Sequence, residues 1–316
     1  MIPHHTDFEH GITAIDTDYT GPMIDASHLI IENGRAAFVD TGTSYAVPRL
    51  LAVMKLKDLD PGQVQYILVT HVHLDHAGGA GRLAQALPDA KVIVHPRGAR
   101  HLANPEKLIA GAKAVYGEKS FDELYGEIPP IEESRLRIVE DGEILELNGR
   151  PLEFIHTEGH ARHHYCIVDE RAGAIFSGDC FGVSYRSFDT HRGEFIFPTT
   201  TPVQFDPAAA HASVDRLMAY SPNAIFLTHY SRVTELERLA GDLHECLDGF
   251  VHLARARAES HDREKLMQQD MYQFLSARLD AHGFDPDAER RHALLELDIR
   301  LNVQGLCVWL DRNAGQ

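Results

Sequence analysis

Cysteine is scarce in this chain. Cys166, Cys180, Cys246 and Cys307 are the four in 316 residues, and no two of them stand in a Cys-x-x-Cys pair. That spacing excludes a disulfide framework and fits a reducing compartment. Long apolar runs are missing as well: no segment of about 18 apolar residues occurs, so no helix is expected to cross a membrane. The stretch from Met1 to Asp7 has no basic start followed by an apolar core, so no secretory leader is read there and a cytoplasmic location is expected. Basic residues are in deficit. Lys and Arg number 30 against 47 Asp and Glu, a formal charge of -17, and no dense basic run interrupts the acidic field. Nucleic acid and anionic membrane surfaces are therefore not expected as partners. With 44% hydrophobic and 24% charged residues, the chain is composed as a folded globule rather than a disordered one.

What the chain has in excess is histidine, at 21 residues. Position, not number, gives these residues meaning, and position depends on the pattern of elements. Short apolar runs over the first 45 or so residues predict strands, with a hairpin at Asn33-Gly34, a dipeptide that tolerates the positive φ angles of a tight turn. The spacing of Val47, Leu50, Leu51 and Met54 predicts a helix that Pro61-Gly62 closes off. Val64–Thr70 reads as a strand, Ala77–Leu87 as a helix and Lys91–Val94 as a strand. Residues 96–128 read as a helical insertion, and 136–147 as a second hairpin around Asp141-Gly142. Strands are predicted over 152–155, 165–168 and 174–176, a helix over 207–220, and a strand over 224–228. From about 233 onward helix follows helix, with breaks at Gly241, Ser260 and Gly283-Phe284.

The strongest chemical signal is His71-Val72-His73-Leu74-Asp75-His76-Ala77-Gly78-Gly79, at the end of a predicted strand. Alternation along an extended segment puts His71 and His73 on one side, and the turn into the following helix carries Asp75 and His76. Imidazoles with one carboxylate suit zinc, iron or manganese better than calcium or magnesium. Three weaker pieces follow: His156-Thr157-Glu158-Gly159-His160-Ala161-Arg162-His163-His164, then Gly178-Asp179 after a strand, then Thr228-His229. Ile67-Leu68-Val69-Thr70-His71 is echoed by Ile225-Phe226-Leu227-Thr228-His229, each an apolar strand that delivers Thr-His at its end.

Taken together, Thr70-His71-x-His73-x-Asp75-His76, Gly159-His160, Gly178-Asp179 and His229, in this order, resemble the metallo-β-lactamase superfamily, and Asp40-Thr41-Gly42 resembles its early strand-end element. The resemblance covers about residues 10–230. It implies an α/β fold, the αββα sandwich, over 1–230, with a helical insertion near 96–128 and a helical C-terminal region over 231–316. It also implies two divalent metal ions, zinc foremost, with iron or manganese served by the same donors. His71, His73 and His160 would hold the first ion, Asp75, His76 and His229 the second, and Asp179 would bridge them. The implied chemistry is hydrolysis by a hydroxide held between the ions, with Asp75 also orienting the nucleophile or taking its proton. His163, His164 and Tyr185 are candidate substrate or supporting groups.

The phrase from Gly159 to His164 and the helical tail resemble glyoxalase II-type and quorum-sensing-associated thioesterase and lactonase branches. A small acyl thioester or ester, lactones included, is the expected substrate, and the helical parts are expected to wall an apolar acyl pocket. The sequence departs from glyoxalase II where Gly182-Val183-Ser184-Tyr185-Arg186-Ser187 stands in place of a glutathione-binding loop, and at Tyr230 after His229. Two alternatives stay open: an iron enzyme of the persulfide dioxygenase kind using one ion, and a metal-containing regulatory protein with little turnover. Oligomeric state is not read from the sequence.

Overall fold

A computed structural model describes residues 2–200 and 203–314. One sheet follows chain order from β1 (His5–Phe8) through β2 (Ile12–Asp16), β3 (Ala26–Glu32), β4 (Arg35–Val39), β5 (Val64–Leu68) and β6 (Lys91–Val94) to β7 (Leu136–Ile138). Neighbours are antiparallel up to β4 and parallel from β4 to β7. The other sheet comprises β8 (Glu143–Leu147), β9 (Arg150–His156), β10 (Tyr165–Asp169), β11 (Ala174–Gly178), β12 (Ala224–Leu227) and β13 (Ser231–Val233), again in chain order. The helices are α1 (Val47–Leu56), α2 (Leu74–Ala77), α3 (Ala80–Ala86), α4 (Ala99–Ala103), α5 (Glu106–Tyr116), α6 (Glu118–Tyr125), α7 (Pro207–Ala219), α8 (Leu236–Arg257), α9 (Arg263–His282) and α10 (Ala288–Asn313).

The chain divides into two compact units that do not follow its linear order. The first takes residues 1–156, 163–178 and 223–232, which carry the sheets and α1–α6. The second takes 157–162, 179–222 and 233–316, which carry α7–α10. Within the first unit the central strands are buried on both faces, so their sequences read as unbroken apolar runs. Ala37 and Val39 of β4, Leu68 of β5 and Ile93 of β6 meet Leu152, Phe154, Ile167 and Phe176 of the other sheet. Their neighbours Phe38, Ile67 and Val92 point the opposite way, onto Leu50 and Val53 of α1 and Leu83 of α3. Phe121 and Tyr125 of α6 pack with Tyr19 and with Leu74, the residue between His73 and Asp75. The helices of the 96–128 stretch thus buttress the histidine-rich loop. The architecture is the expected α/β sandwich with a helical C-terminal region.

Two local expectations are corrected. The hairpin at Asp141-Gly142 does not form: β7 pairs with β6 in one sheet, while β8 pairs with β9 in the other. The hairpin lies one turn later, at Asn148-Gly149, where φ is +50° and +90°. This is the same dipeptide signal that correctly marks Asn33-Gly34, where Glu32 pairs with Arg35. Gly241 does not break a helix either, since α8 runs through it from Leu236 to Arg257. A glycine in mid-helix costs about 1 kcal/mol, and the buried stripe Leu239, Leu243, Leu247 and Phe250 outweighs that.

His28 on β3 shows what the core demands of a titratable group. Its ring sits 5.4 Å from each of the Phe176 and Phe226 rings, and burial drives its pKa down to about 3. The unfolded chain binds the proton near 6.5 and the folded chain resists it, so His28's contribution is complete above pH 6.5 and declines as pH falls. The loss amounts to about 1.4 kcal/mol per pH unit down to about pH 3. In denaturant unfolding, the stability of the parent relative to His28→Leu should therefore fall by about 2 kcal/mol as pH falls from 7 to 5. Parallel curves would show that the ring is not held neutral.

Candidate metal centre

Three strand ends, those of β4, β5 and β12, supply most polar side chains of the site in the first unit, and Asp40, directly after β4, organises them. It is wholly buried. Its Oδ1 accepts the Thr70 backbone N–H at 2.8 Å, and the Thr70 hydroxyl donates to Oδ2 at 2.8 Å. The Thr228 hydroxyl donates to the same Oδ2 at 2.8 Å. The two Thr-His strand ends, one in each sheet, are therefore tied by one carboxylate, which gives the sequence echo a physical purpose.

Asp40 Oδ2 also lies 2.8 Å from His76 Nδ1, so that nitrogen carries the hydrogen and Nε2 keeps the lone pair. His229 Nδ1 donates to the Ile24 carbonyl at 2.9 Å, with the same effect on its ring. His71 Nδ1 stands 3.2 Å from the Thr70 hydroxyl oxygen, whose own hydrogen goes to Asp40. Three imidazoles thus have their Nδ1–H groups held by protein, the arrangement that presents Nε2 to a cation. Asp75 Oδ2 lies 3.6 Å from His229 Nε2 and 3.9 Å from His76 Nε2. One donor atom from each of Asp75, His76 and His229 falls within 4.8 Å of the others, a cluster fit for a divalent ion. The His71 ring lies 4.0 Å from that of His76 and 4.5 Å from that of His73, so the five ligand candidates of this unit converge. Asp25, wholly buried beyond Ile24, is pushed up to about 7 by desolvation, against the pull of His229 and His76.

The second unit contributes a separate pair. His160 Nδ1 donates to the Thr199 carbonyl at 3.3 Å, and its Nε2 lies 3.4 Å from Asp179 Oδ2. Gly159 holds φ at +129°, and a Cβ there would collide with the Ala210 backbone of α7. A small cavity of about 20 Å³, room for one water, is lined by His160, Asp179, Cys180, Ala210, Val214 and Leu243.

Of the remaining candidates, His163 and His164 were expected to face opposite ways by strand alternation. They lie in a turn before β10 instead, where alternation does not apply, and both rings pack beside His71, at 6.1 and 5.0 Å. His163 also approaches His73, at 5.6 Å. His164 lies under Gly178, where an added Cβ would come within 2.6 Å of its Nε2 and 2.7 Å of the Thr70 hydroxyl. Tyr185, in the second unit, donates its hydroxyl to Asp298 of α10 at 3.1 Å and packs with Phe188 and Phe197. The roles of Asp40 beyond its motif, and of Asp25, were not read from the sequence. The lone acidic residue at a strand end was a signal for the first, whereas nothing around Asp25 distinguishes it.

Among the described residues no helix is long and apolar enough to cross a membrane. The family model described as "Metallo-beta-lactamase superfamily" matches residues 20–229. The "Metallo-beta-lactamase fold-containing protein ST1585" of Sulfurisphaera tokodaii is 27% identical over 225 residues, 70% of this chain and 77% of that protein. Its crystal structure superposes with a TM-score of 0.65 at 21% identity, covering 94% of this chain and 98% of that one. The "Acyl-coenzyme A thioesterase MBLAC2" of Gallus gallus is 28% identical over 117 residues, 35% of this chain and 40% of that protein. The "Atrochrysone carboxyl ACP thioesterase dmxR1" of Cryptosporiopsis sp. is 24% identical over 155 residues, 48% of this chain and 37% of that protein. The chain thus spans well under half the length of the two thioesterases it matches.

Proposed function

The chain belongs to the metallo-beta-lactamase superfamily, and from that membership we propose that it is a metal-dependent hydrolase of small acyl thioesters or esters, cyclic esters included. The observation that carries the reading is the fixed tautomers of His71, His76 and His229, whose Nδ1–H groups are held by Thr70, Asp40 and Ile24 beside the Asp75 carboxylate. By resemblance to the family, His71, His73 and His160 would hold one ion and Asp75, His76 and His229 another, with Asp179 shared. Zinc suits this imidazole-rich set, and iron or manganese would use the same atoms. Bound there, two divalent cations would lower the pKa of a water toward neutrality and polarise the acyl carbonyl.

The chain's own groups do the rest. Asp75 orients the attacking water and takes up its proton, a role suited to a carboxylate that is only partly buried. Asp40 keeps His76 and both Thr-His strand ends in place. His163, beside His71 and His73, keeps slight exposure and is the one of the two extra histidines that a substrate would touch, whereas wholly buried His164 supports the loop from below. The thioester preference draws on the two relatives described as thioesterases, and the acidic chain, with no dense basic run, argues against nucleic acid as the substrate.

The test is a panel of acyl thioesters of short and long chain, lactones and cyclic phosphodiesters. Acyl thioester turnover is expected, abolished by a strong chelator and restored by Zn2+, Fe2+ or Mn2+. Faster turnover of phosphodiesters than of any acyl ester would replace this reading with a phosphodiesterase. Acyl hydrolysis that survives complete metal removal would remove the metals from the mechanism.

A further inference from the structure

A second cluster of histidines and carboxylates lies in the helical unit, outside the set described above. His211 and Asp215 stand one turn apart on α7, and His244 and Asp248 stand one turn apart on α8. The helices bring the four together crosswise. His211 Nε2 is 3.2 Å from Asp248 Oδ1, and His244 Nε2 is 3.1 Å from Asp215 Oδ1. The two rings meet between these pairs, with Nδ1 to Nδ1 at 2.6 Å and ring planes 3° apart.

Two nitrogen lone pairs cannot face each other at that distance, so either a hydrogen carried by one Nδ1 or a metal ion lies between them. The surroundings favour both rings as ligands. Each Nε2 faces a carboxylate from the opposite helix, the carboxylate–histidine pairing that orients an imidazole toward a metal. The rings are about a quarter to a third exposed, at 28% and 30%, so an ion can reach them from solvent and keep water ligands.

We propose that His211 and His244 form a second, surface metal site that takes one divalent transition ion such as Zn2+ through the two Nδ1 atoms, with Asp215 and Asp248 as outer partners. The ion displaces the shared proton. Metal–nitrogen bonds of about 2.0–2.1 Å in tetrahedral geometry require the nitrogens to open to about 3.3 Å, a small rotation of each ring. Such an ion would pin α7 to α8. Ala210, next to His211, packs against Gly159, and Leu243, next to His244, lines the small cavity beside His160 and Asp179. The site therefore braces the helices behind that loop without belonging to the proposed catalytic set.

The experiment titrates Zn2+ into the full chain, purified with its own metals, in competition with a chromophoric chelator, and follows the histidine ring signals by NMR. One equivalent beyond those already bound is expected, at micromolar affinity, with the His211 and His244 resonances moving together. His211→Ala and His244→Ala should each abolish it. Asp215→Asn, which keeps both rings, should weaken it about tenfold and leave the metal content at purification unchanged. If the histidine variants fail to fold, Asp215→Asn decides. Extra Zn2+ taken up equally by all variants, or no extra equivalent in the parent, would leave a plain hydrogen bond between helices and overturn the proposal.

Discussion

Asp40→Ala should destabilise the protein by about 3–5 kcal/mol, as expected when one partner of a buried charged network is removed. Its carboxylate is the acceptor for the Thr70 N–H, the Thr70 and Thr228 hydroxyls and His76 Nδ1, all in a region sealed from water. Each donor left without an acceptor there costs about 1–3 kcal/mol, less in sum because the network relaxes. Asp40 also sits at φ +54°, a conformation that an alanine adopts less readily than aspartate or asparagine. Asp40→Asn therefore keeps the backbone and one acceptor oxygen while its amide hydrogens meet donors. It should fold with a smaller loss and bind metal poorly, because His76 is no longer held in the tautomer that offers Nε2. The checks are denaturant unfolding and elemental analysis of both variants. Parent-like midpoints and metal content in Asp40→Ala would mean that the carboxylate does not organise the strand ends.

That network also marks the boundary of what the sequence discloses. The strands and most helices were legible because their burial pattern is periodic: Ala37 and Val39 face one side and Phe38 the other, as a period of two requires. The histidine-rich loop was legible because four donor residues fall within six positions at a strand end. Sequence patterns carry little information about which sheet a short strand joins. Leu136–Ile138 and Glu143–Leu147 look like partners, yet the first strand buries none of its three residues and so has no decisive face, while the second buries Leu145 and Leu147 on one side. The turn at Asp141-Gly142 bends the chain from one sheet to the other, and the Gly142 N–H donates to Phe154 of β9. Alternation failed at His163 and His164 for a related reason. It holds within a strand, and the strand begins only at Tyr165. The crosswise quartet on α7 and α8 was invisible because residues 211 and 244 meet only through the packing of two helices far apart in sequence.

Asp179→Ala and His76→Ala should separate the two metals. In the proposed ligand set Asp179 serves both ions, while His76 serves the second alone. Asp179→Ala should therefore lower the occupancy of both, and His76→Ala should leave close to one ion per chain. Metal centres supply several kcal/mol of transition-state charge stabilisation, and each 1.36 kcal/mol is a factor of ten in rate. Loss of the bridge should thus reduce kcat/KM by about a thousandfold or more. The two substitutions also differ in what they leave behind. Removing the His76 ring takes one donor from Asp40, which still holds Thr70 and Thr228, so the fold should survive. Removing the Asp179 carboxylate leaves His160 anchored through Thr199, so the loop should keep its place while losing the partner of its Nε2. Elemental analysis, with circular dichroism to verify folding, reads both outcomes. Two ions per chain in both variants would overturn the ligand assignment. One ion in each would show that Asp179 binds a single metal, and the bridge would have to be sought in another carboxylate, with Asp75 the first to test.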